Sequence, residues 1–523
     1  MTQLLGIDLG TTTFKAVVYD EKGGPIASAR VSPPDESTSI DGVRVDYWPA
    51  DALWDRFAEL IRTTLAQLSN PIIDALTVDE IGLVGFPLDA SGRPLHDAVT
   101  WIEPHPELSA VFDSLTLAND DVFATTGNSL NPIYPPAWIA WLSAHVPEYG
   151  TRMARWVYYG DYLAYLLTGE LAVDLSMASQ TITLDQSTLG YSTKMLEAFG
   201  FATDLFPPAR PAGTPLGRVA AAVAGETGLA AGTPVVLGGA DALCGPYGAG
   251  FVDAGDVAIN TGTWECVIVC ADTPQLEAAL PHVGAICDPH VVRDRWTVRI
   301  ENLIGGVTEW FRRQIAHFDD PTVADSEEAW RVLEARAAEA PPGADGVLFY
   351  PYVFGSYGPR LDELARGALA GLRNTTSQSH LARALYEGLN FHTRHALEAM
   401  LEATRMTPGR VVCMGGGSRN TFWMQNRADI LGRPIEVVDD PDVTPRGAAM
   451  IAGIGIGFFD GFDDAARRFA SPTRTLEPNL GLTSFYTDLY NTVFLPLEEA
   501  LVPLNHAMAR RAIPAVASLG AQA

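Results

Sequence analysis

Basic residues, cysteines and long apolar runs are all scarce in this chain of 523 residues. Lys and Arg number 35 against 63 Asp and Glu, so the formal net charge is −28. A chain this acidic is expected to be repelled by nucleic acid and by anionic membrane surfaces. The five cysteines show no Cys-x-x-Cys spacing, which argues against a disulfide framework and favours a reducing compartment.

Segments that would insert into a membrane or direct export are also missing. The most apolar late stretch, Gly447 to Phe459, is too short and too rich in glycine to span a bilayer. The opening MTQLLGIDLG lacks the basic start and long apolar run of a signal peptide, so we expect a cytoplasmic protein without a membrane partner. The length favours two large domains or three smaller ones, and 47% hydrophobic with 19% charged residues is typical of globular chains.

Two stretches in the middle of the chain carry the first chemical signal. LGGADALCGPYGAG places one carboxylate, Asp241, in a predicted loop of small and apolar residues, and AINTGTWE places Thr261, Gly262 and Thr263 at a glycine-centred turn. The acid can take the proton of an attacking hydroxyl, and the turn can offer backbone N–H groups and hydroxyls to phosphate oxygens. Each pattern alone is also typical of an ordinary capping residue or turn.

A related pattern opens the chain. A predicted strand from Leu4 ends at Asp8 and is followed by a Gly/Thr turn and a second strand, Phe14 to Tyr19. The residues of this turn are Gly10, Thr11, Thr12 and Thr13. A plain hairpin is the alternative interpretation, since Thr is a good strand residue. Two such hairpins from separate α/β domains, facing one another across a cleft, would hold one phosphate chain from both sides.

A third glycine-rich stretch follows a predicted strand, Val411 to Met414, and precedes a predicted helix. It contains Gly415, Gly416, Gly417 and Asn420. Glycines let a flat base or a sugar approach the backbone, and the Asn side chain can bond to either. A tight βα turn is the alternative, but together with the two hairpins the stretch favours nucleotide binding.

Candidate ligands for a sugar lie in the first half of the chain. The predicted strand Ala98 to Ile102 delivers Glu103 and His105 to a loop, where polar residues often line ligand clefts. A predicted helix carries Trp138, which is more typical of a core than of a sugar platform. Asp161 and Asp174 complete this set. The apolar run over 81–86 predicts a buried strand before these residues.

Seven blocks in this order resemble the FGGY family of carbohydrate kinases: residues 8–12, 101–105, 161–170, 239–250, 262–265, 366–384 and 415–434. The resemblance implies an α/β, two-lobed ribonuclease-H-like fold of the actin, Hsp70 and sugar kinase type, with a cleft between the lobes. It implies ATP and Mg²⁺ as cofactors and a small sugar or polyol as substrate. The site residues that it implies are Asp241 as catalytic base, Asp8 for the metal, Gly10 to Thr13 and Thr261 to Thr263 for phosphate, Gly306, and Gly415 to Gly417 with Asn420 for ATP.

Departures from the family pattern fall in the segments that are expected to bind the sugar. The loop after Phe86 looks shortened, and Trp101-Ile102-Glu103-Pro104-His105 replaces a Trp-Asn-Asp-Gln-Arg pattern. The Gly-Thr-Trp-Glu form of the second hairpin is similar to L-fuculokinases, whereas the length and the region of Asp161 are equally like xylulokinases. We therefore expect a kinase of a ketose or polyol such as xylulose. The alternatives are a kinase of L-fuculose or another deoxy-sugar, and an ATP hydrolase or sensor of the same fold.

The expected organisation is an N-terminal lobe over 1–252 with the sugar site and the base, a C-terminal lobe over 253–482 with the ATP site, and a helical tail over 483–523. Glycines between Gly250 and Gly255 mark the predicted hinge. A homodimer is the expected assembly.

Overall fold

The computed structural model describes residues 2–40, 43–100, 106–113, 115, 117–318, 323–324 and 326–519. Two sheets organise the chain, and we call the part from the first strand to residue 252 the first lobe and the rest the second lobe. The strands of the first lobe are β1 (Leu4–Leu9), β2 (Phe14–Tyr19), β3 (Pro25–Val31), β4 (Glu36–Ile40), β5 (Val43–Trp48), β6 (Ala75–Glu80), β7 (Gly85–Leu88), β8 (Ala98–Val99), β9 (Arg155–Tyr158), β10 (Val173–Asp174), β11 (Leu184–Asp185), β12 (Gly190–Tyr191), β13 (Ala209–Arg210), β14 (Pro215–Arg218) and β15 (Pro234–Ala240). Those of the second lobe are β16 (Val257–Thr261), β17 (Glu265–Ala271), β18 (Ile286–Pro289), β19 (Trp296–Asn302), β20 (Leu348–Tyr350), β21 (Ala368–Ala370), β22 (Val411–Met414), β23 (Ile435–Val438) and β24 (Thr473–Leu476).

Helices cover the sheets and connect them. In the first lobe they are α1 (Ala50–Leu65), α2 (Pro106–Asp113), α3 (Asn119–Thr126), α4 (Pro135–His145), α5 (Pro147–Arg152), α6 (Tyr159–Thr168), α7 (Leu175–Ser179), α8 (Thr193–Phe199), α9 (Ala221–Thr227) and α10 (Asp241–Gly248). In the second lobe they are α11 (Ile304–Gln314), α12 (Glu328–Glu339), α13 (Gln378–Thr404), α14 (Thr421–Leu431), α15 (Val443–Gly455), α16 (Phe462–Phe469), α17 (Leu480–Leu489) and α18 (Leu495–Leu519). No helix of the described ranges is both long and apolar enough to cross a membrane.

The two main sheets share one topology. The first runs β14-β15-β6-β1-β2-β3, and the second runs β18-β19-β17-β16-β22-β23-β24. In each, a hairpin of two antiparallel strands is followed by a parallel strand beside its first member, β6 beside β1 and β22 beside β16. The tips of the β1–β2 and β16–β17 hairpins therefore occupy equivalent places in the two lobes.

Two helices cross at the junction of the lobes and use glycine to do so. A Cβ on Gly447 of α15 would lie 2.0 Å from the backbone oxygen of Cys244 of α10, and a Cβ on Gly248 of α10 would lie 2.0 Å from that of Val443. Helix α15 also covers the first sheet, since a Cβ on Gly6 of β1 would lie 1.8 Å from the oxygen of Pro445. The core of the first lobe is thus completed by a helix from the other half of the chain.

Most predicted elements are present, and one is wrong. The apolar run over 81–86 does not form one strand: the strand is β6, Ala75–Glu80, and β7 begins only at Gly85. Leu83, with φ 76°, lies in the turn between them. The sequence of β6, ALTVDE, ends in two acids that discourage the assignment of a buried strand, yet both are buried. The predicted tail helices pack on the second lobe, where Tyr486, Tyr490 and Phe494 join a hydrophobic cluster with Phe391.

Candidate active site between two hairpins

Three carboxylates meet at one edge of the first sheet. Parallel pairing sets Asp8 of β1 directly opposite Asp79 of β6, and Ala240 at the end of β15 opposite Glu80. The next residue, Asp241, is the first of α10. Parallel strands bring their carboxyl ends to the same edge, where α/β proteins bind ligands. The catalytic base and the metal residue expected from the sequence therefore lie at one edge, with Asp79 beside them.

Burial and mutual repulsion raise the pKa values of these groups. Burial raises the pKa of Asp241 to about 8, and the charge of Asp8 adds to the rise. Burial raises the pKa of Asp8 to about 6 against the lowering effect of Lys15, and burial together with the charge of Asp8 puts that of Asp79 well above its usual value. A cationic ligand is the natural partner for such a site, because each added positive charge favours the ionised carboxylates.

The first hairpin tip is closed by its own backbone. The N–H of Gly10 donates to the oxygen of Thr13 (3.2 Å), and the Tyr159 hydroxyl donates to the oxygen of Leu9 just before the turn. Thr11 and Thr13 are half-buried and Thr12 is exposed. The tip is therefore fixed at its base and presents hydroxyls and N–H groups at its end.

A buried ion pair supports the base of the second hairpin tip. Arg427 Nη2 lies 2.6 Å from Glu265 Oε2, with the two side chains 0% and 2% exposed. The Thr261 hydroxyl donates to the same Glu265 oxygen (2.8 Å) and accepts from Arg427 Nη1 (3.0 Å). Gly262 and Thr263 at the tip are exposed. The hydrogen-bond partners of the Thr261 hydroxyl thus lie inside the protein, whereas Gly262 and Thr263 face outward.

The two glycines at the start of α11 have different surroundings. The N–H of Gly305 donates to the oxygen of Thr263 (2.9 Å), and a Cβ on Gly305 would lie 2.4 Å from the oxygen of Gly262. A Cβ on Gly306, the residue expected from the sequence, would instead meet the side chains of Leu303 and Phe354. Gly305 is therefore the glycine that touches the second tip.

The glycine run after β22 forms the expected turn before α14. Gly415, with φ 90°, lies against Thr261, since a Cβ on it would be 2.7 Å from that residue's oxygen. Gly415 and Gly416 are exposed and Gly417 is half-buried. The Asn420 side chain caps α14 by accepting from the N–H of Trp423 (2.8 Å) and donates to the Tyr386 hydroxyl (3.1 Å). Its amide is thus engaged within the protein, and a contact with adenosine stays a prediction.

Two of the acids that are predicted to bind the sugar line a small pocket of buried residues. Asp161 and Asp174 lie there with Glu80, which accepts from the N–H groups of Gly160 (2.6 Å) and Asp161 (3.1 Å). Burial raises the pKa of Glu80 to about 8 and that of Asp174 to about 7. Asp174 caps α7 and accepts from the Ser176 hydroxyl, which accepts in turn from the N–H of Ala240 (3.0 Å). Asp174 is therefore linked through Ser176 to the strand end that precedes Asp241.

The other residues predicted for the sugar side divide into two groups. Trp138 is 3% exposed and packs in a hydrophobic cluster with Trp141, at 6.1 Å between ring centroids. Glu103 and His105 lie outside the described residues. Contacts of Trp138, Asp161, Asp174, Glu103 and His105 with a sugar remain predictions.

A buried polar network joins the lobes beside this site. Asp288 of β18 accepts from Ser179 Oγ (2.7 Å) and Asn128 Nδ2 (3.0 Å), both of the first lobe. Arg299 of β19 donates to Asp288 Oδ2 through Nε (3.0 Å) and Nη2 (2.8 Å), and its Nη1 bonds to Glu301. Asp241 is within electrostatic reach, because Glu301 raises and Arg299 lowers its pKa. The network thus ends near the candidate base.

Sequence reasoning missed Asp79, Glu80, Arg299 and Glu301. The two acids of β6 carry a signal that could have been used, because consecutive acids at the end of an apolar run are unusual in a buried strand. Arg299 and Glu301 alternate along β19 and so share one face of the strand. Nothing in the sequence says that this face turns toward the first lobe.

Comparison with known proteins identifies the family. The N-terminal domain of the FGGY family of carbohydrate kinases matches residues 3–248, and the C-terminal domain of the same family matches residues 257–456. This chain belongs to the FGGY family. It has the two-lobed fold of the actin, Hsp70 and sugar kinase type and is an ATP-dependent carbohydrate kinase. The predicted lobe boundaries at 252 and 482 stay predictions.

Individual relatives of this FGGY kinase differ in the sugar that their names give. L-fuculokinase from Salmonella typhi is 28% identical over 474 residues, covering 88% of this chain and 94% of the relative. Xylulose kinase from Bacillus subtilis (strain 168) is 26% identical over 508 residues, covering 94% and 97%. The crystal structure of xylulose kinase from Rhodospirillum rubrum superimposes with a TM-score of 0.86 at 26% identity, covering 96% of this chain and all of that one.

Proposed function

We propose that this FGGY kinase transfers the γ-phosphoryl group of ATP to a hydroxyl of a ketose or related polyol, with Asp241 as the catalytic base. The observation that carries the proposal is the position of Asp241. It begins α10 at the sheet edge shared with Asp8, and α10 packs in one hydrophobic cluster with residues of both sheets. We expect a hydroxyl held at this edge to meet a phosphate chain bound by the two hairpin tips.

The chain's own residues suit each part of this reaction. The tip Gly10–Thr13 and the exposed Gly262 and Thr263 of the tip Thr261–Thr263 present hydroxyls and backbone groups from the two lobes, and Gly415–Gly417 pack closely beside the second tip, where we expect the adenosine to bind. Asp241 takes the proton of the attacking hydroxyl at its carboxylate, and for this it must be ionised. Closure of the lobes would exclude water and so suppress hydrolysis of ATP.

Mg²⁺ fits the acidic edge. Asp8 and Asp79 lie side by side, and among the described residues no N–H group or hydroxyl donates to either oxygen of Asp79. No group of three or more His, Cys, Asp or Glu among the described residues could hold a metal ion alone. That agrees with Mg²⁺, which is usually held by one or two carboxylates together with phosphate oxygens and water. When bound, the ion would neutralise charge on the transferred phosphoryl group, and Asp8 would hold it.

The test is a coupled assay of ADP release with a panel of ketoses, deoxy-ketoses, aldoses and polyols. Asp241→Asn is expected to lower kcat by about 10²- to 10⁴-fold, the loss typical of a positioned base, with ATP affinity nearly unchanged. Asp121→Asn, at an exposed acid of α3, is the control and should retain full activity. Activity of Asp241→Asn near that of the wild type would remove Asp241 from this role.

The panel also separates two candidate substrates. Similarity to the L-fuculokinase and the Gly262-Thr263-Trp264-Glu265 tip favour a deoxy-ketose such as L-fuculose. Similarity to xylulose kinases over nearly the whole chain favours xylulose. Whichever substrate gives the higher kcat/KM decides between them. Release of ADP that is independent of every sugar would instead indicate an ATP hydrolase.

A further inference from the structure

Glu301 lies on the face of the second sheet that is turned toward the candidate base. In the antiparallel pairing of β17 and β19, Glu301 is opposite Cys266 and Arg299 is opposite Ile268, and opposite residues share a face of the sheet. Cys266 and Ile268 belong to the hydrophobic cluster that also contains Leu243, and Leu243 belongs to α10. Since Asp241 begins α10, Glu301 lies on the side of the sheet where this helix packs.

The carboxylate of Glu301 is held in place and still reaches solvent. Arg299 Nη1 and Cys266 Sγ (3.6 Å) both bond to its Oε1. Arg299 cannot swing away freely, because Asp288 binds its other nitrogens and is itself fixed by the first lobe. The side chains of Asp288 and Arg299 are 1% and 8% exposed, whereas that of Glu301 is 37% exposed. Glu301 is thus the end of the network that a ligand can touch.

The charge of Glu301 contributes to the pKa values of two groups of the first lobe. Burial is the main cause of the raised pKa values of Asp241 and Tyr134, and the charge of Glu301 adds a smaller rise to both. The Tyr134 hydroxyl donates to Asn128 Oδ1 (2.7 Å). Tyr134 precedes α4, and Asp241 begins α10. The contacts that hold Glu301 also continue through Arg299, Asp288 and Asn128 to Tyr134 of the first lobe.

We propose that Glu301 is a specificity-determining residue of the sugar site. Its carboxylate accepts a hydrogen bond from a sugar hydroxyl other than the one that is phosphorylated, and it makes the site selective for neutral sugars over sugar acids. This inference rests on the proposed function.

The charge balance supports selection of a neutral substrate. A sugar acid would bring its carboxylate toward Glu301, Asp241 and Asp8, and like charges at short distance in a partly buried site repel one another strongly. Arg299 is already shared between Asp288 and Glu301, so it could bind a substrate carboxylate only by releasing one of them. A neutral hydroxyl instead donates to Glu301 without displacing any existing contact.

The test compares Glu301→Gln with the wild type, using the best neutral ketose of the substrate panel and gluconate as the sugar acid. We expect kcat/KM for the neutral sugar to fall about 10-fold, chiefly through KM, because the Gln amide oxygen still accepts a hydrogen bond but lacks the charge that strengthens it. The KM for ATP should stay within about twofold, and the ratio of rates with gluconate and the neutral sugar should rise.

Glu398→Gln is the matched control, because Glu398 is also a partly exposed acid bonded to an arginine, Arg394 (2.8 Å), but lies on α13 beside the tail. Glu398→Gln should leave kcat/KM and KM for the neutral sugar unchanged. Glu301→Asp keeps the charge near Arg299 and serves as a second variant if Glu301→Gln folds poorly; a rise in sugar KM with an unchanged melting temperature supports the proposal.

An unchanged sugar KM and an unchanged gluconate ratio in both Glu301 variants would overturn the inference. An equal loss of affinity for ATP and sugar would also overturn it, because a merely structural role predicts that result. These results differ from failure of the proposed function, which would appear as a wild-type protein that phosphorylates no sugar of the panel.

Discussion

The buried pair of Glu265 and Arg427 offers a sharp test of how the second hairpin is supported. In Glu265→Ala, the Arg427 guanidinium loses its carboxylate while its other contacts, with Thr261 Oγ1 (3.0 Å) and Asn390 Oδ1 (3.0 Å), are to neutral oxygens. A fully buried cation is then left uncompensated, and removing one partner of such a pair typically costs about 3–5 kcal/mol. Whole domains are stable by about 5–15 kcal/mol, so the loss is large.

The measurement is urea unfolding followed by tryptophan fluorescence. Trp264 precedes Glu265, and the Arg427 guanidinium lies over the Trp423 ring at 5.5 Å, so the signal reports on this region. Glu436→Gln is the control, since the pair of Glu436 with Arg410 is about one-third exposed on both sides and should contribute about 0–1 kcal/mol. The KM for ATP should also rise in Glu265→Ala, because Thr261 loses an acceptor at the base of the tip.

A double variant separates the buried charge from lost packing. Adding Arg427→Met to Glu265→Ala removes the unpaired cation and should recover part of the lost stability, because buried ion pairs can often be replaced by apolar groups without loss. The reasoning is refuted if Glu265→Ala lowers the free energy of unfolding by less than about 1 kcal/mol. It is also refuted if the losses of stability from Glu265→Ala and Arg427→Met are additive in the double variant.

Two further predictions concern protons and the helix crossing. Glu80 and Asp241, with pKa values raised from 4.5 and 3.8 to about 8, bind protons more tightly in the folded chain, so stability should fall as pH rises from about 4 to about 8. Melting temperatures from pH 5 to 8 check this, Glu80→Gln should flatten the slope, and an opposite slope would contradict it. Gly447→Ala should destabilise the protein by about 1–3 kcal/mol in thermal unfolding, because the new methyl meets the backbone of Cys244. Gly225→Ala in α9, where no atom of the described residues outside the local helix backbone lies within 4 Å of the added carbon, should be neutral or stabilising, and equal effects of both changes would refute the steric argument.

Local patterns predicted the hairpins and long helices well. Strand β2 and strand β22 have the expected bounds, and the expected helical tail is present as α17 and α18. Alternating or helical spacing of apolar residues is a local property, and in these elements packing agrees with it. The strand over 81–86 failed because β6 ends in Asp79 and Glu80, whose burial depends on partners from β1 and α6 that are distant in sequence.

The site was predicted where its residues follow a recognisable turn, and missed where they depend on contact between lobes. Asp8 and Asp241 stand out next to glycine-rich turns. Glu301 stands in an unremarkable strand, and its closeness to Asp241 arises from the way in which α10 packs on the second sheet. The hydrogen bonds of the Thr261 and Asn420 side chains could likewise not be predicted, since their partners, Arg427 and Tyr386, are far away in the sequence.

Because α15 covers β1, the order of synthesis matters for this protein. The first sheet is complete when the ribosome has reached Ala240, but its covering helix begins only at Val443. At common rates of translation the interval is on the order of 10–40 s, during which an apolar face of the nascent first half stays open to other chains. Efficient production in a cell therefore depends on shielding that face, by a chaperone or by transient contacts within the chain, until the second half has emerged.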